Sequence, residues 1–319
     1  MNYVIALDVG GTAMKAALVA PDGAVLFQAR RPTMREQGPD AVVAAIRTFT
    51  ADLADEGHRR FGAPPSAAGV VVPGTVDEQG GIASYSVNLG WRDVPLRSVL
   101  ARHLAQHTGN AALPVALGHD VRAGALAEAR LGAGREVERF LFLALGTGIA
   151  GAIVLGGHVD PGTHRNAGEI GHSIVVPDGP ACGCGASGCL ETLASAGAVS
   201  RAWALASADP TADARDCAHA VEAGDHRAAV LWHRAVDALA CGIVQAHNLL
   251  DVSAVVVGGG LAEAGDTLFA PLRSAVRRRL TFQVQPAIVP AALKDTAGAL
   301  GAALLAWDLA PAGAVNRGR

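Results

Sequence analysis

Twice in this chain an apolar run stops at a glycine-rich turn containing threonine and resumes as a second apolar run. The first instance is Tyr3 to Asp8, then Val9-Gly10-Gly11-Thr12, then Ala16 to Val19. The second is Phe140 to Leu145, then Gly146-Thr147-Gly148, then Ile149 to Leu155. Short apolar runs bounded by glycine turns are strand signals. Pro21-Asp22-Gly23 turns the first instance into a third run, Ala24 to Phe27, which makes an antiparallel meander. The recurrence half a chain apart predicts an internal repeat of two α/β halves, each opening with a hairpin. A length of 319 residues fits about two domains. Ligands of open α/β folds collect beside strand ends, so a cleft between the halves is the expected site.

The rest of the chain supplies helices and buried strands. Asp40 is placed to N-cap a helix with Val42, Ile46, Phe49 and Leu53 on one face. Ala68 to Val72 reads as a strand entering Pro73-Gly74-Thr75, and Val115 to Leu117 as another entering Gly118-His119-Asp120, before a helix from Val121 to Leu131. A long helix fits Ala228 to Leu250, with Leu231, Ala235, Leu239, Ile243 and Ala246 on one face. Ala254 to Val257 reads as a strand into Gly258-Gly259-Gly260, followed by a helix from Asp266 to Arg279. The chain closes with an alanine-rich helix, Gly298 to Trp307, and a short polar tail expected to fray.

Charge excludes some classes of function. Net charge is −3, and the Arg277-Arg278-Arg279 cluster is short and falls where it complements a helix C-terminus. No nucleic-acid arm is expected. Half the residues are hydrophobic, yet no apolar stretch reaches the ~20 residues a membrane helix needs. The chain opens in an apolar strand without the pattern of a signal peptide, so a cytoplasmic setting is expected.

Three of the five cysteines, Cys182, Cys184 and Cys189, fall within eight positions, downstream of His172. One His and three Cys form a standard closed set for tetrahedral Zn²⁺. Gly183, Gly185 and Gly188 are placed to let the backbone turn the thiolates inward. Cysteines also serve as small buried hydrophobes, and two of these could form a disulfide. In a reducing cytosol, clustered Cys and His favour metal. Cys217 and Cys241, in helical patterns, read as packing residues. Glu169 and Glu191 flank the presumed ligands, so a structural metal would fix a loop that carries two carboxylates.

Gly146-Thr147-Gly148-Ile149-Ala150-Gly151 has the spacing of a dinucleotide fingerprint. That motif must open a helix, and here it enters a strand, so the Rossmann reading fails on context. A glycine hairpin can still offer N–H groups and a Thr hydroxyl to phosphate oxygens, as can Gly10-Gly11-Thr12. The alternative is that both are turns that use glycine for geometry alone. Asp8, at a strand end, can hold a water on Mg²⁺. Lys15 is near enough in sequence to approach a phosphate, although an exposed strand lysine is commoner. Asp120 can be a base that removes a hydroxyl proton, an N-cap, or both. Gly258-Gly259-Gly260 either admits a flat group such as adenine to the backbone or makes a tight connection.

Taken as a set, these residues resemble the ROK family of sugar kinases and regulators (repressors, open reading frames, kinases) over nearly the whole chain. Leu7-Asp8-Val9-Gly10-Gly11-Thr12 and Leu145-Gly146-Thr147-Gly148 look like its two phosphate motifs, and Val257-Gly258-Gly259-Gly260 like its adenosine-side turn. Gly168-Glu169-Ile170-Gly171-His172 with Cys182-Gly183-Cys184-Gly185 and Gly188-Cys189-Leu190-Glu191 looks like its signature. The resemblance implies an α/β, hexokinase/actin-like (ribonuclease H-like) duplicated fold with a sugar in the cleft between two lobes. The lobes expected are 1–118 with a C-terminal helix near 298–310, and 119–297 with the zinc loop. It implies that Asp120 is the catalytic base, that ATP with Mg²⁺ is the donor, that Zn²⁺ is structural, and that the chain forms a homodimer. It further implies that His172 both ligates zinc and touches the sugar. By the same match, Glu169, Glu191 and Asn88 hydrogen-bond sugar hydroxyls, and Gly74 borders the sugar. Such side chains suit hydroxyls, which both donate and accept. Family kinases usually carry Asn, which contacts the sugar, where this chain has His119, so His119 and Asp120 are expected at the sugar; imidazole can also donate or accept, but it has a different reach and titrates near neutrality.

The leading expectation is an ATP-dependent kinase acting on the 6-hydroxyl of a hexose, glucose foremost, or of an N-acetylhexosamine. Its partners are then a small-molecule sugar and ATP, with no nucleic acid and no membrane. The alternatives are a sugar-responsive regulator, a sugar-binding module without turnover, and a kinase using polyphosphate. The family's repressors carry an N-terminal winged helix, whereas this sequence starts at the phosphate-motif strand. Asp8, Asp120 and two Gly-Thr turns are more phosphate-handling residues than a pure sensor needs.

Overall fold

The computed structural model describes residues 1–311; the polar tail beyond lies outside the described residues. The chain divides into two compact units, one formed by Met1–Ala127 with the described residues from Asp295 onward, the other by Glu128–Lys294.

The first unit opens with β1 (Val4–Val9), β2 (Ala13–Val19) and β3 (Val25–Pro32), an antiparallel meander in which Asp8 pairs across the ladder with Lys15. Helix α1 (Pro39–Phe61) buries Val42, Ile46, Phe49 and Leu53, the face expected from their spacing. Its start differs from expectation. Gly38 is the N-cap and Pro39 takes the first helical position, which leaves Asp40 inside the first turn with no capping bond. β4 (Ala68–Val72) lies parallel to β1 and is buried at every position, as a strand covered on both faces must be. Next come β5 (Thr75–Asp77), β6 (Ile82–Ser86) and β7 (Trp91–Val94), a small antiparallel sheet that sequence patterning leaves unassigned. Helix α2 (Leu96–Thr108) leads to β8 (Val115–His119), parallel to β4, and then to α3 (Asp120–Leu131). The main sheet runs β3-β2-β1-β4-β8. Its core is built from Ile5, Leu7, Phe49, Val70, Trp91 and Leu100.

The second unit repeats that order. β9 (Arg139–Leu145), β10 (Ile149–Leu155) and β11 (His158–Asp160) form the meander. Short helices α4 (Leu190–Ala194), α5 (Ala196–Ser207) and α6 (Ala214–Glu222) follow the cysteine loop. Helix α7 (His226–Leu250) is capped by Asp225, whose carboxylate accepts from the N–H groups of Arg227 and Ala228. β12 (Ala254–Gly258) lies parallel to β9, and after α8 (Asp266–Arg279) β13 (Ala287–Pro290) lies parallel to β12. The sheet order is β11-β10-β9-β12-β13. Helix α9 (Ala297–Leu309) returns to the first unit and covers β1, β4 and β8. Cys217 is fully buried, as expected of a packing residue. Cys241 is only half-buried and lines a surface groove beside α7. Among the described residues no helix is long and apolar enough to cross a membrane.

Candidate functional site

In the first unit the candidate residues gather near the ends of β1 and β8. Asp8, the last but one residue of β1, lies under the N-terminus of α9. A Cβ on Gly298 would lie 2.4 Å from the Asp8 carboxylate, so only glycine permits this approach. Burial first, and then the charge of Asp120, push Asp8 up to about 7; Asp295 adds to the rise and Lys15 opposes it. Lys15 forms an ion pair with Asp295, a partner that the sequence reading does not foresee. Gly10, Gly11 and Thr12 form the β1–β2 turn, and Asn88 packs beside Gly11. Gly74 lies in the turn between β4 and β5.

Asp120 is the first residue of α3, with its side chain 27% exposed. Its Oδ1 accepts from the Val121 N–H at 2.7 Å. The capping role that the sequence allowed for Asp120 falls instead to His119: Nδ1 of its buried ring accepts from the Arg122 N–H at 3.3 Å. β8 pairs through His119 with Val72, and the helix begins at Asp120, one residue before the expected start, so Asp120 lies inside the first turn and His119 precedes it.

In the second unit, one atom each from His172, Cys182, Cys184 and Cys189 lies within 4.8 Å of the others. Nδ1 of His172 is 3.6 Å from the Cys182 sulfur, and the Cys184 and Cys189 sulfurs are 3.7 Å apart. Zinc bonds of about 2.3 Å to sulfur and 2.0–2.1 Å to nitrogen give tetrahedral edges of about 3.8 Å between sulfurs and about 3.5 Å between sulfur and nitrogen. The spacing therefore fits one tetrahedral ion, and the cysteines are free rather than disulfide-bonded. Burial and the neighbouring thiols push Cys189 up to about 12, so an ion bound here must displace its proton. A backbone hydrogen bond from Ala186 and the nearby Cys182 thiol hold Cys184 below its ordinary value. Gly185 and Gly188 take positive φ, whereas Gly183 does not. Gly171 is required by contact, since a Cβ there would fall 2.0 Å from the Ile149 carbonyl oxygen, and this pins the His172 turn against β10. With Nδ1 turned to the cysteines, Nε2 of His172 faces Glu169 at 3.9 Å, too far for a direct hydrogen bond.

Glu191, in the first turn of α4, accepts the Ile149 N–H at 2.8 Å and closes over Gly148. It thus tethers the cysteine loop to the Gly146-Thr147-Gly148 turn between β9 and β10. That turn is a hairpin, and its Gly146 carbonyl accepts from Ala196 at the start of α5. Gly258 ends β12, and Gly259 precedes a short 3-10 turn, Gly260–Ala264, that intervenes before α8. Gly260 borders a cavity of about 160 Å³ lined also by Arg215, His219, Glu222, Trp232 and Glu263.

The duplicated sheet order, with glycine turns at the ends of β1 and β9, defines the α/β architecture of the hexokinase/actin-like class. The ROK family profile matches residues 4–308, and the chain belongs to the ROK family. It is 34% identical over 316 residues to a glucokinase of Thermotoga maritima, covering 94% of this chain and 96% of that protein. It is 32% identical to an N-acetylmannosamine kinase of Shigella flexneri, covering 95% of this chain and 98% of that one. A ROK family glucokinase from Streptomyces griseus, solved in complex with glucose and AMPPNP, superposes with a TM-score of 0.81 at 30% identity, covering 96% and 100% of the two chains.

Proposed function

We propose that this chain is an ATP-dependent sugar kinase that transfers the γ-phosphoryl group to the 6-hydroxyl of a hexose, glucose foremost, or of an N-acetylhexosamine. The observation that carries the reading is the charge cluster of the first unit. Asp120 stands at a strand end with a partly exposed carboxylate, and its charge is felt by Asp8 at the adjoining phosphate turn. Phosphoryl transfer asks a protein mainly for positioning and charge neutralisation. Asp120 accepts the hydroxyl proton as the sugar oxygen bonds to phosphorus and the bond to ADP breaks.

Asp8 would hold Mg²⁺ through water, and the bound ion supplies neutralisation of the phosphates. A carboxylate that carries a proton near pH 7 only because it is buried beside another carboxylate suits a cation site. The turns at Gly10-Gly11-Thr12 and Gly146-Thr147-Gly148 donate N–H groups to phosphate oxygens, and Gly258-Gly259-Gly260 flanks the adenosine. In the first unit Asn88 and Gly74 meet the sugar. In the second, Glu169, His172 and Glu191 offer carboxylate and ring groups to sugar hydroxyls. His172, Cys182, Cys184 and Cys189 would hold a structural Zn²⁺ that fixes the loop carrying those groups. We further propose, as the sequence resemblance implies, that the chain acts as a homodimer in the cytoplasm.

A coupled ADP-release assay with Mg-ATP across hexoses and N-acetylhexosamines tests the reading. Release that depends on one sugar supports it and names the substrate. Silence across the panel, with sugar binding still visible by calorimetry, replaces it with a sensor.

A further inference from the structure

We propose that Glu78, His119 and Arg122 form a bracket that positions Asp120. The proposal rests on Asp120 being the base of the kinase reading. The first turn of any helix leaves N–H groups without intrahelical partners, and the residue before it usually satisfies one of them through a Ser, Thr, Asp or Asn oxygen. In α3 that acceptor is an imidazole nitrogen, His119 Nδ1, 3.3 Å from the Arg122 N–H.

Glu78, just beyond β5, closes the bracket from the other side. Its Oε1 accepts from the His119 backbone N–H at 3.3 Å and from Nε and Nη2 of Arg122, each at 3.2 Å. The Arg122 side chain is 7% exposed and that of Glu78 36%. A guanidinium so buried needs a fixed anionic partner, and one carboxylate oxygen here ties both ends of the segment 119–122. Asp120 sits inside that segment. Its Oδ1 takes the Val121 N–H at 2.7 Å and lies 3.4 Å from His119 Nδ1, while Oδ2 takes no hydrogen bond among the described residues. The bracket thereby fixes the backbone from which a carboxylate oxygen is left to receive a proton. His119, Arg122 and Glu78 act through Asp120 and are positioning residues.

The test compares the full-length wild type with Glu78→Gln, His119→Ala and His119→Asn. It measures kcat and sugar KM by ADP release, sugar Kd by calorimetry, and amide hydrogen exchange at Val121 and Arg122. Glu78→Gln and His119→Ala should lower kcat on the order of 10²-fold, the effect of displacing a catalytic group by about 1 Å, with KM and Kd of Glu78→Gln, which lies away from the expected sugar contacts, changing less than about threefold. Exchange at Arg122 should quicken about fivefold in His119→Ala, the size of one lost cap. His119→Asn should recover both readouts, because its amide oxygen can cap as Nδ1 does. A general structural defect would instead lower folded fraction and kcat and raise Kd together. The bracket is overturned if folded Glu78→Gln and His119→Ala keep wild-type kcat, or if Asn restores no more than Ala. Should the wild type release no ADP with any sugar, the kinase reading falls on its own. Unchanged exchange at Arg122 in His119→Ala would then still overturn the bracket, and quickened exchange rescued by Asn would uphold it.

Discussion

The two five-stranded sheets share a strand order but differ at their first turn. In the first unit the residue two positions before the turn glycine is Asp8, paired across the ladder with Lys15. In the second the equivalent pair is Ala144 and Ala150. The first turn thus carries charged residues in its own ladder, whereas the second takes its charge from the following loop, where the Glu191 carboxylate accepts the Ile149 N–H. The insertions differ as well. The first unit places the β5–β7 sheet between β4 and β8 and ties it to the start of α3 through Glu78 and Arg122. The second places the His-Cys loop between β11 and α4, with an exposed Cys184 and with Ile170 buried in the core of the unit. The comparison teaches that one frame can carry two kinds of insertion, an ion-paired small sheet and a loop whose His and Cys atoms are spaced for a metal ion.

That contrast can be broken or sharpened by substitution. The largest effect is expected at the charged side. Asp120→Asn should reduce kcat by roughly 10²–10⁴-fold while calorimetry still shows sugar binding; a variant near the wild-type rate removes Asp120 as the base. Next comes the chelated loop. Cys184→Ser should bring zinc by elemental analysis from one per chain to near none and lower kcat/KM on the order of 10²-fold through the displaced Glu169 and His172. Wild-type protein without zinc would remove the contrast altogether.

Smaller effects test the charged turn itself. The folded value of Asp8, about 7, lies above the ordinary Asp value of ~3.9. Between these two values the folded chain binds the extra proton. The contribution of Asp8 is thus fully present below about pH 4, declines as pH rises, and is gone above about pH 7. Asp8→Asn should flatten this part of the stability profile in denaturant titrations at pH 4.5 and 7.5 without Mg²⁺, and the same slope in both proteins would contradict the buried-carboxylate account. Gly298→Ala should push α9 off the Asp8 carboxylate and cost roughly 1–3 kcal/mol, read as a lowered denaturation midpoint; a neutral substitution would show that the approach is not tight.

Much of the frame is legible in the sequence because its signals are local. The two hairpins show as apolar runs around glycine, and α1 and α7 as buried faces at helical spacing. The ligand cluster is legible for the same reason, since three cysteines and a histidine lie within one loop. What escaped is short or distant. β5 has three residues and β7 carries Arg92 and Asp93, so neither shows an alternating pattern. Helix starts fall one or two residues earlier than expected where several residues can begin the turn: α1 starts at Pro39 rather than after Asp40, and α3 at Asp120 rather than at Val121. Glu78 is 41 residues from His119, Asp295 is 280 from Lys15, and no local pattern links either pair.

The most direct test of the central claim is the phosphorus NMR spectrum of the sugar product formed from Mg-ATP and glucose by the wild-type chain. Transfer to the 6-hydroxyl places phosphorus beside a methylene group, so the account predicts a triplet from two equivalent proton couplings. A doublet from an anomeric phosphate, or inorganic phosphate with no sugar ester, would contradict it.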